Sequence, residues 1–219
     1  MSEELVVVVS GGDLPAPRGA LAVPLGATVI AADKGVEHAL ALGLEVAVAV
    51  GDFDSASPEV LALAEAAGVR VERHAAEKDA TDLELALDVA STMRPHRILV
   101  LADDGGRLDH LVSSLLLLAS DRYGHVQIDA FVGEARVHVL RDERELEGEA
   151  GGLVTLLAVN GPAEGVATEG LVYPLRGETL EPGSSRGVSN VFASERARVT
   201  IERGVLLAVR PGVERGAAT

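Results

Sequence analysis

Short apolar runs rich in valine, isoleucine and leucine recur along the first 132 residues, and segments with helical spacing separate them. A run of about five such residues, bounded by turn residues, is typical of a strand buried on both faces of a parallel sheet. We predict strands at residues 5–9, 28–32, 46–50, 69–73, 97–102 and 126–132. Because strands and helices alternate, we expect a layered, mostly parallel α/β sheet.

Three helices are predicted between these strands. Ser57 followed by Pro58 gives a capping hydroxyl with proline at the first helical position. Thr81 and Glu84 form a capping box that begins a second helix, whose apolar residues recur at helical spacing. An apolar helix is expected at residues 108–120.

The sequence pattern changes after about residue 143. Residues 143–149 are polar and charged, which is typical of a linker or an exposed turn. Short β-rich segments follow, with a hairpin expected between the last two, at residues 153–159, 171–175, 188–193, 198–201 and 205–209. Because no long helix is predicted here, these strands indicate a small all-β sandwich. We therefore expect an α/β domain over residues 1–142 and a β-sandwich domain over residues 143–219.

Composition limits the partners of the chain. Acidic residues outnumber lysine and arginine 34 to 19, and the net charge is −15. A broad nucleic-acid or anionic-membrane surface needs clustered basic residues, so neither partner is expected. The apolar run at residues 5–9 is too short to span a membrane and follows two glutamates, unlike a signal peptide. Cysteine is absent, which excludes disulfides and thiolate metal sites, and we expect a soluble cytoplasmic protein.

Aspartates concentrate near the ends of the predicted strands. Nine of the thirteen fall between Asp33 and Asp109, and in parallel sheets the functional loops lie beyond the carboxyl ends of the strands. Asp52 and Asp54 directly follow one strand. In extended backbone two such residues share a face and can bind one hard cation. The simpler alternative is a turn in which an aspartate accepts a backbone hydrogen bond.

A second acidic cluster surrounds the start of a predicted helix. It contains Asp79, Asp82 and Lys78, which is one of only two lysines in the chain. Acidic residues at a helix N-terminus are stabilised by the helix dipole, at about 0.3–1 kcal/mol each. That effect accounts for Asp82, whereas the acidic pair with a lysine beside it also fits a bound metal and phosphate. Both interpretations stay open at this point.

A glycine-rich segment with Arg107, Asp109 and His110 precedes the predicted helix at residues 108–120. Free N–H groups at a helix N-terminus and a bidentate guanidinium can bind a phosphate. Asp109 and His110 can equally be local caps. The standard nucleotide-binding loops, zinc-protease motif and serine-hydrolase motif are missing from the sequence. In the β-rich part, Ser189 and Asn190 are typical of a strand entry.

Five segments together resemble the thiamine pyrophosphokinase family in order and spacing, over nearly the whole chain: residues 32–35, 51–55, 77–82, 105–110 and 189–190. The resemblance implies an N-terminal domain that holds ATP and magnesium and a C-terminal β-sandwich that meets thiamine. It also implies a homodimer with active sites at the subunit interface. The family transfers a pyrophosphoryl group from ATP to the thiamine hydroxyl and releases AMP.

The resemblance also implies residue roles. The magnesium ligands would be Asp52, Asp54 and Asp82, with Asp79 as a further catalytic carboxylate. The nucleotide would contact Asp33, Lys78, Thr81, Arg107, Asp109 and His110. Thiamine would meet Ser189 and Asn190. The chain departs from the family at Lys34, where a glycine is usual, and in having no tryptophan to stack on thiamine, for which Phe192 and Tyr173 are the candidate substitutes.

Three other functions stay open on the sequence alone. The acceptor can be another primary alcohol, such as a hydroxymethyl pterin, which an AMP-release assay with both acceptors distinguishes. A non-catalytic nucleotide or thiamine sensor would bind thiamine without forming AMP. A magnesium phosphohydrolase would release phosphate without an acceptor.

Overall fold

The computed structural model of the chain describes residues 5–13, 23–103 and 106–212, which divide into two compact units. The first unit comprises residues 1–114 and 125–134, and the second comprises residues 115–124 and 135–219. The predicted domain boundary at residue 142 stays a prediction. Among the described residues, no helix is long and apolar enough to cross a membrane.

Six parallel strands form the sheet of the first unit, in the order β6-β5-β1-β2-β3-β4. They are β1 (Leu5–Val9), β2 (Thr28–Ala32), β3 (Val46–Gly51), β4 (Arg70–Arg73), β5 (Arg97–Ala102) and β6 (Gln127–Val132). The central strand β1 is fully buried at Val7, Val8 and Val9, as its continuous β-branched run predicts. The expected strands and the mixed α/β class are confirmed.

The helices are α1 (Gly35–Ala41), α2 (Pro58–Ala66), α3 (Asp82–Thr92) and α4 (Leu108–Leu118), with a 3₁₀ turn at Asp121–Tyr123. Both predicted caps are present: Ser57 Oγ accepts from the N–H of Val60, and Thr81 Oγ1 accepts from the N–H of Glu84. These bonds satisfy donors that a helix start leaves unpaired. Helix α1 was not predicted, because seven residues give too little periodicity.

Two antiparallel sheets form the second unit, in the orders β12-β9-β14-β7 and β11-β10-β13-β8. Their strands are β7 (Ala135–Leu140), β8 (Arg144–Glu147), β9 (Leu153–Ala158), β10 (Ala163–Glu169), β11 (Arg176–Leu180), β12 (Asn190–Val191), β13 (Arg196–Thr200) and β14 (Leu206–Arg210). One apolar cluster draws buried side chains from both sheets, among them Leu156, Leu206, Leu146 and Val199. Each fully buried aliphatic side chain contributes about 1.5–3 kcal/mol, so the two sheets are held together by a shared core.

The second unit differs from the sequence predictions in several places. Strands β7, β10 and β11 were not predicted, and three expected features take another form. The expected linker at residues 143–149 contains β8, whose only fully buried side chain is Leu146; charged residues on a short edge strand conceal its β character. The expected strand at residues 171–175 is wrong, since only one bridge, Leu171 to Phe192, forms there. The expected terminal hairpin is also wrong, because β13 pairs with β8 and β10 whereas β14 pairs with β7 and β9.

Candidate active site

Asp33 lies at the carboxyl end of β2, and its side chain is buried. Its N–H donates to the carbonyl of Val50 on the neighbouring strand at 2.8 Å, and its φ of +48° is left-handed. Oδ2 accepts a short hydrogen bond from Ser55, whereas Oδ1 has no hydrogen-bond partner. A buried carboxylate oxygen without a partner is costly. It therefore points to a bound group that would supply one.

Asp52 and Asp54 lie on the turn that follows β3. Phe53 between them has a φ of +59°, and its ring is buried against α1 and α2. The N–H of Asp54 donates to Asp52 Oδ1 at 3.3 Å, which is the simple turn that the sequence left open. The expectation of an extended backbone here is wrong. The left-handed residue instead curls the chain so that both carboxylates lie near Asp33.

One carboxylate oxygen each from Asp33, Asp52 and Asp54 lies within 4.8 Å of the others. Exposure increases along the set, from buried Asp33 through Asp52 to exposed Asp54, so the cluster opens to solvent. Hard oxygen donors suit Mg²⁺, which retains waters and needs few protein carboxylates. The three donors and the unpartnered Oδ1 of Asp33 fit such an ion. Sequence reasoning gave Asp33 a nucleotide contact only, although its position at the end of the strand beside β3 was an available signal.

Lys78 connects this cluster to α3. Its Nζ lies 2.6 Å from Asp52 Oδ2 and 3.0 Å from Asp82 Oδ1. The hydrogen bond from Lys78 lowers the pKa of Asp52, although partial burial opposes the shift. Burial lowers the pKa of Lys78, but its contacts with Asp52 and Asp82 outweigh that effect and leave the pKa raised. The ammonium of Lys78 and the carboxylate of Asp52 therefore form a charged pair.

Asp82, the first residue of α3, lies on the other side of Lys78. Burial raises its pKa despite the ammonium nearby, and Oδ1 lacks a partner with hydrogen-bond geometry. A Cβ on Gly51 would stand 3.1 Å from this oxygen, so glycine lets the end of β3 approach α3 closely. Among the described residues, the carboxylate oxygens that lie within 4.8 Å of one another belong to Asp33, Asp52 and Asp54. Asp82 is not part of that group. Its role as a metal ligand stays a prediction.

The remaining residues expected near the nucleotide are exposed. Thr81 uses its hydroxyl oxygen to cap α3, and Asp79 precedes it. Arg107 forms a bidentate pair with Asp109, at 2.6 Å and 3.2 Å, and this pair lowers the pKa of Asp109. His110 lies on the exposed first turn of α4. Gly105 lies outside the described residues. The guanidinium of Arg107 would have to leave Asp109 to bind a phosphate in the same bidentate way.

In the second unit, Asn190 is buried and its amide is engaged with backbone groups. Oδ1 accepts from the N–H groups of Tyr173 and Val191, and Nδ2 donates to the carbonyl of Tyr173 at 2.7 Å. Ser189 has a left-handed φ of +54° and donates its N–H to Thr155 Oγ1. The amide of Asn190 therefore holds the backbone of Tyr173 in place.

The two candidate aromatic residues differ in accessibility. Phe192 is 1% exposed, and a Cβ on Gly148 would stand 2.7 Å from its ring carbons. The side chain of Tyr173 is on the surface, with the residue 58% exposed. Only Tyr173 of these two can offer a ring face to a ligand in this structure.

Comparisons with known proteins match both parts of the chain. Residues 26–128 match the model of the thiamin pyrophosphokinase catalytic domain, and residues 136–206 match that of the thiamin pyrophosphokinase vitamin B1 binding domain. A thiamine pyrophosphokinase of Bacillus subtilis is 28% identical over 183 residues, which cover 83% of this chain and 86% of that protein.

Solved structures agree with these matches. A thiamine pyrophosphokinase from Bacillus subtilis superposes with a TM-score of 0.83 at 25% identity, covering 95% of this chain and 99% of that one. A thiamin pyrophosphokinase from Geobacillus thermodenitrificans superposes with a TM-score of 0.80 at 26% identity, covering 96% of this chain and 99% of that one. The acidic cluster at Asp33, Asp52 and Asp54 lies within the matched catalytic region. The chain belongs to the thiamin pyrophosphokinase family.

Proposed function

We propose that this chain transfers a pyrophosphoryl group from ATP to the hydroxyl of thiamine at the acidic cluster, giving thiamine diphosphate and AMP. Family membership supports the reaction, as an ATP-dependent pyrophosphokinase. The observation that carries the location is the convergence of Asp33, Asp52 and Asp54 within 4.8 Å, beside Lys78, at the carboxyl ends of β2 and β3. Ligand sites of open parallel sheets lie at such ends.

Asp33, Asp52 and Asp54 would hold Mg²⁺, and Asp82 would join them as the sequence predicts. Such an ion neutralises charge on the polyphosphate while it is transferred. The buried Asp33 fixes the inner side of the centre, and exposed Asp54 faces the incoming nucleotide. Asp79 is the remaining carboxylate residue that we assign to the catalytic centre.

Cationic and polar groups around the cluster would position the nucleotide. Lys78 and Arg107 are the positive side chains assigned to the phosphates, and Thr81, Asp109 and His110 to the remaining nucleotide contacts. In the reaction the thiamine oxygen bonds to the β-phosphorus, the bond from that phosphorus to the α,β-bridging oxygen breaks, and AMP leaves with the bridging oxygen. The hydroxyl proton is released. Catalysis of this kind requires positioning and charge neutralisation more than covalent participation by the protein.

The thiamine side of the reaction we assign to the β-rich second unit, a sandwich domain. Its match to a vitamin B1 binding domain supports this assignment. Ser189 and Asn190 shape the site, and Tyr173 offers the exposed aromatic face. Replacing Tyr173 by alanine should raise the KM for thiamine and leave the KM for ATP unchanged, whereas Tyr173→Phe should retain the wild-type value.

We propose a cytoplasmic homodimer with active sites at the subunit interface. The family resemblance is the basis for this assembly. An apolar stripe on α4 supports it: Leu108, Val112 and Leu116 recur every fourth residue and are 72%, 48% and 43% exposed. Side chains four residues apart share one face of a helix. A second copy of the chain would cover that face.

The decisive assay incubates the purified chain with ATP, Mg²⁺ and thiamine and measures AMP and thiamine diphosphate by chromatography. We expect equal amounts of both products, and neither product when thiamine or Mg²⁺ is omitted. A hydroxymethyl pterin in place of thiamine serves as the control acceptor. AMP formed with the pterin but not with thiamine would overturn the proposal, and so would phosphate released without any acceptor.

A further inference from the structure

Lys78 occupies the position of a cation between two acidic side chains. Its Nζ contacts Asp52 and Asp82 at 2.6 Å and 3.0 Å, and the side chains of all three residues are largely shielded, at 15%, 13% and 27% exposed. Partial burial strengthens the attraction between such charges relative to bulk water. The ammonium is therefore a well-held counter-ion of the candidate metal ligands.

Both oxygens of Asp52 are already engaged. Oδ1 accepts from the N–H of Asp54, and Oδ2 accepts from Lys78 Nζ. A metal ion that binds Asp52 would therefore lie within a few ångströms of the Lys78 ammonium, and the two positive charges would repel each other. The backbone donor belongs to the turn that brings Asp52 and Asp54 together. The lysine has a flexible stem and can move, so it is the donor that a metal would displace.

We infer that Lys78 is a built-in competitor of the metal ion, occupying the carboxylates until a metal–nucleotide arrives and then pairing with its phosphates. The inference rests on the proposed function and adds a reason why the metal would bind together with the nucleotide rather than before it. A free divalent cation would displace the ammonium from Asp52 and supply nothing in exchange for that contact. A cation that arrives with a triphosphate brings the phosphate oxygens that replace the lost carboxylates.

This exchange makes the two ligands cooperative. Because binding free energies are reciprocal, the nucleotide raises metal affinity by the same factor by which the metal raises nucleotide affinity. Removing the charge of Lys78 has opposite effects on the two steps. It should favour binding of the metal alone and weaken the coupling with nucleotide.

The test measures binding of Mn²⁺ alone to the full chain by electron paramagnetic resonance, without nucleotide and then with a non-hydrolysable ATP analogue. Lys78→Gln removes the charge but keeps a hydrogen-bond donor for Asp52. We expect it to bind Mn²⁺ alone about tenfold more tightly than wild type, from the loss of one positive charge a few ångströms away. Adding the analogue should raise the Mn²⁺ affinity of Lys78→Gln by a smaller factor than it raises that of wild type.

Two controls separate a local effect from a general change in charge. Lys34→Gln removes the same charge at the only other lysine, next to Asp33, and should bind Mn²⁺ alone as wild type does. Lys78→Arg keeps the charge and should keep the weak binding of wild type. Circular dichroism and thermal melting establish that each variant is folded, and if Lys78→Gln does not fold, Lys78→Met takes its place.

The outcomes distinguish the competitor from the metal centre itself. Equal Mn²⁺ affinity in wild type and Lys78→Gln would overturn the competitor role. If wild type then still binds Mn²⁺ with the analogue, and Asp54→Asn does not, the proposed metal centre stands. If no protein binds Mn²⁺ under either condition, the metal centre is refuted, and the role of Lys78 falls with it.

Discussion

At the scale of single residues, Asp33 carries the most information about the site. A carboxylate that is only 7% exposed, with one oxygen lacking any hydrogen-bond partner, is unfavourable in the protein alone. Its left-handed backbone adds conformational strain of the kind that persists at functional sites. Phe53 and Ser189, both in candidate binding segments, also have left-handed backbones. These costs are understandable when the segments position ligand-binding groups.

The exposed carboxylate of Asp54 gives a direct test of catalysis without a change in fold. We expect Asp54→Ala to lower turnover at least about 10²-fold, because it removes charge stabilisation from the transferred group. The melting temperature should stay within error, since the side chain is exposed. Asp142→Ala, at another exposed aspartate, is the matched control and should keep normal turnover. Near-normal turnover of Asp54→Ala at saturating magnesium would refute the assigned role.

The ion pair between Asp52 and Lys78 should make stability depend on pH. The pKa of Asp52 is lowered in the folded protein by the hydrogen bond from Lys78. Its stabilising contribution is therefore fully present above the pKa of an unfolded aspartate, about 3.9, and is lost as pH falls through the lower folded pKa.

Urea unfolding of metal-free wild type and Asp52→Asn between pH 2.5 and 7 measures this contribution. The free energy of unfolding of wild type minus that of the variant should increase as pH rises through the acidic range. Parallel curves for the two proteins would show that Asp52 has the same pKa in the folded and unfolded states, contrary to this assignment.

At the scale of elements, the sequence was most informative where one kind of side chain dominates. Strands β1, β2 and β5 are largely buried apolar runs, so local pattern and tertiary position agree. Strand β8 is charged on three of its four residues, and its strand conformation depends on pairing with β13. Such partners are far apart in sequence, and periodicity does not reveal them.

The same contrast holds for the candidate site. The sequence identified Asp52 and Asp54 because they are two residues apart, and the family resemblance added the rest. It did not show that Asp33 closes the cluster or that Lys78 bridges Asp52 and Asp82. Both facts depend on which strands lie side by side and on how closely β3 approaches α3 at Gly51.

Helix α1 provides a test of packing at this scale. Gly35 begins the helix where a Cβ would collide with the carbonyl oxygen of Val9 on β1. In an open helix, alanine is more stable than glycine by about 1 kcal/mol. Here we expect the reverse: Gly35→Ala should lose about 1–3 kcal/mol of unfolding free energy because the backbone must shift. Urea denaturation measures the change.

An exposed position on the same helix serves as the control. Leu40→Ala should change the free energy of unfolding by less than about 0.5 kcal/mol, because Leu40 lies on the surface of α1. A Gly35→Ala protein as stable as wild type would show that the contact between α1 and β1 is looser than the structure describes.

At the scale of the whole molecule, the acidic surface and the apolar stripe on α4 have opposite consequences. A net charge of −15 makes copies of the chain repel one another. Association of two copies therefore needs apolar surface to offset that repulsion. The stripe of Leu108, Val112 and Leu116 is such a surface.

Val112→Glu tests this association. Light scattering should give twice the 22.6 kDa chain mass for wild type and one chain mass for the variant, because a buried charge is costly at an interface. Activity should fall with the dimer. Leu63→Glu, at a leucine on α2 that is 70% exposed against 48% for Val112, should remain dimeric. A dimeric Val112→Glu protein would place the interface elsewhere.

The most direct test of the central claim is a crystal structure of the chain with Mn²⁺ and a non-hydrolysable ATP analogue, in which anomalous scattering locates the metal. We expect a manganese peak within about 2.3 Å of oxygens from Asp52 and Asp54, with Asp33 beside it and the triphosphate completing the coordination. A metal bound to the triphosphate but remote from all three carboxylates would contradict the account.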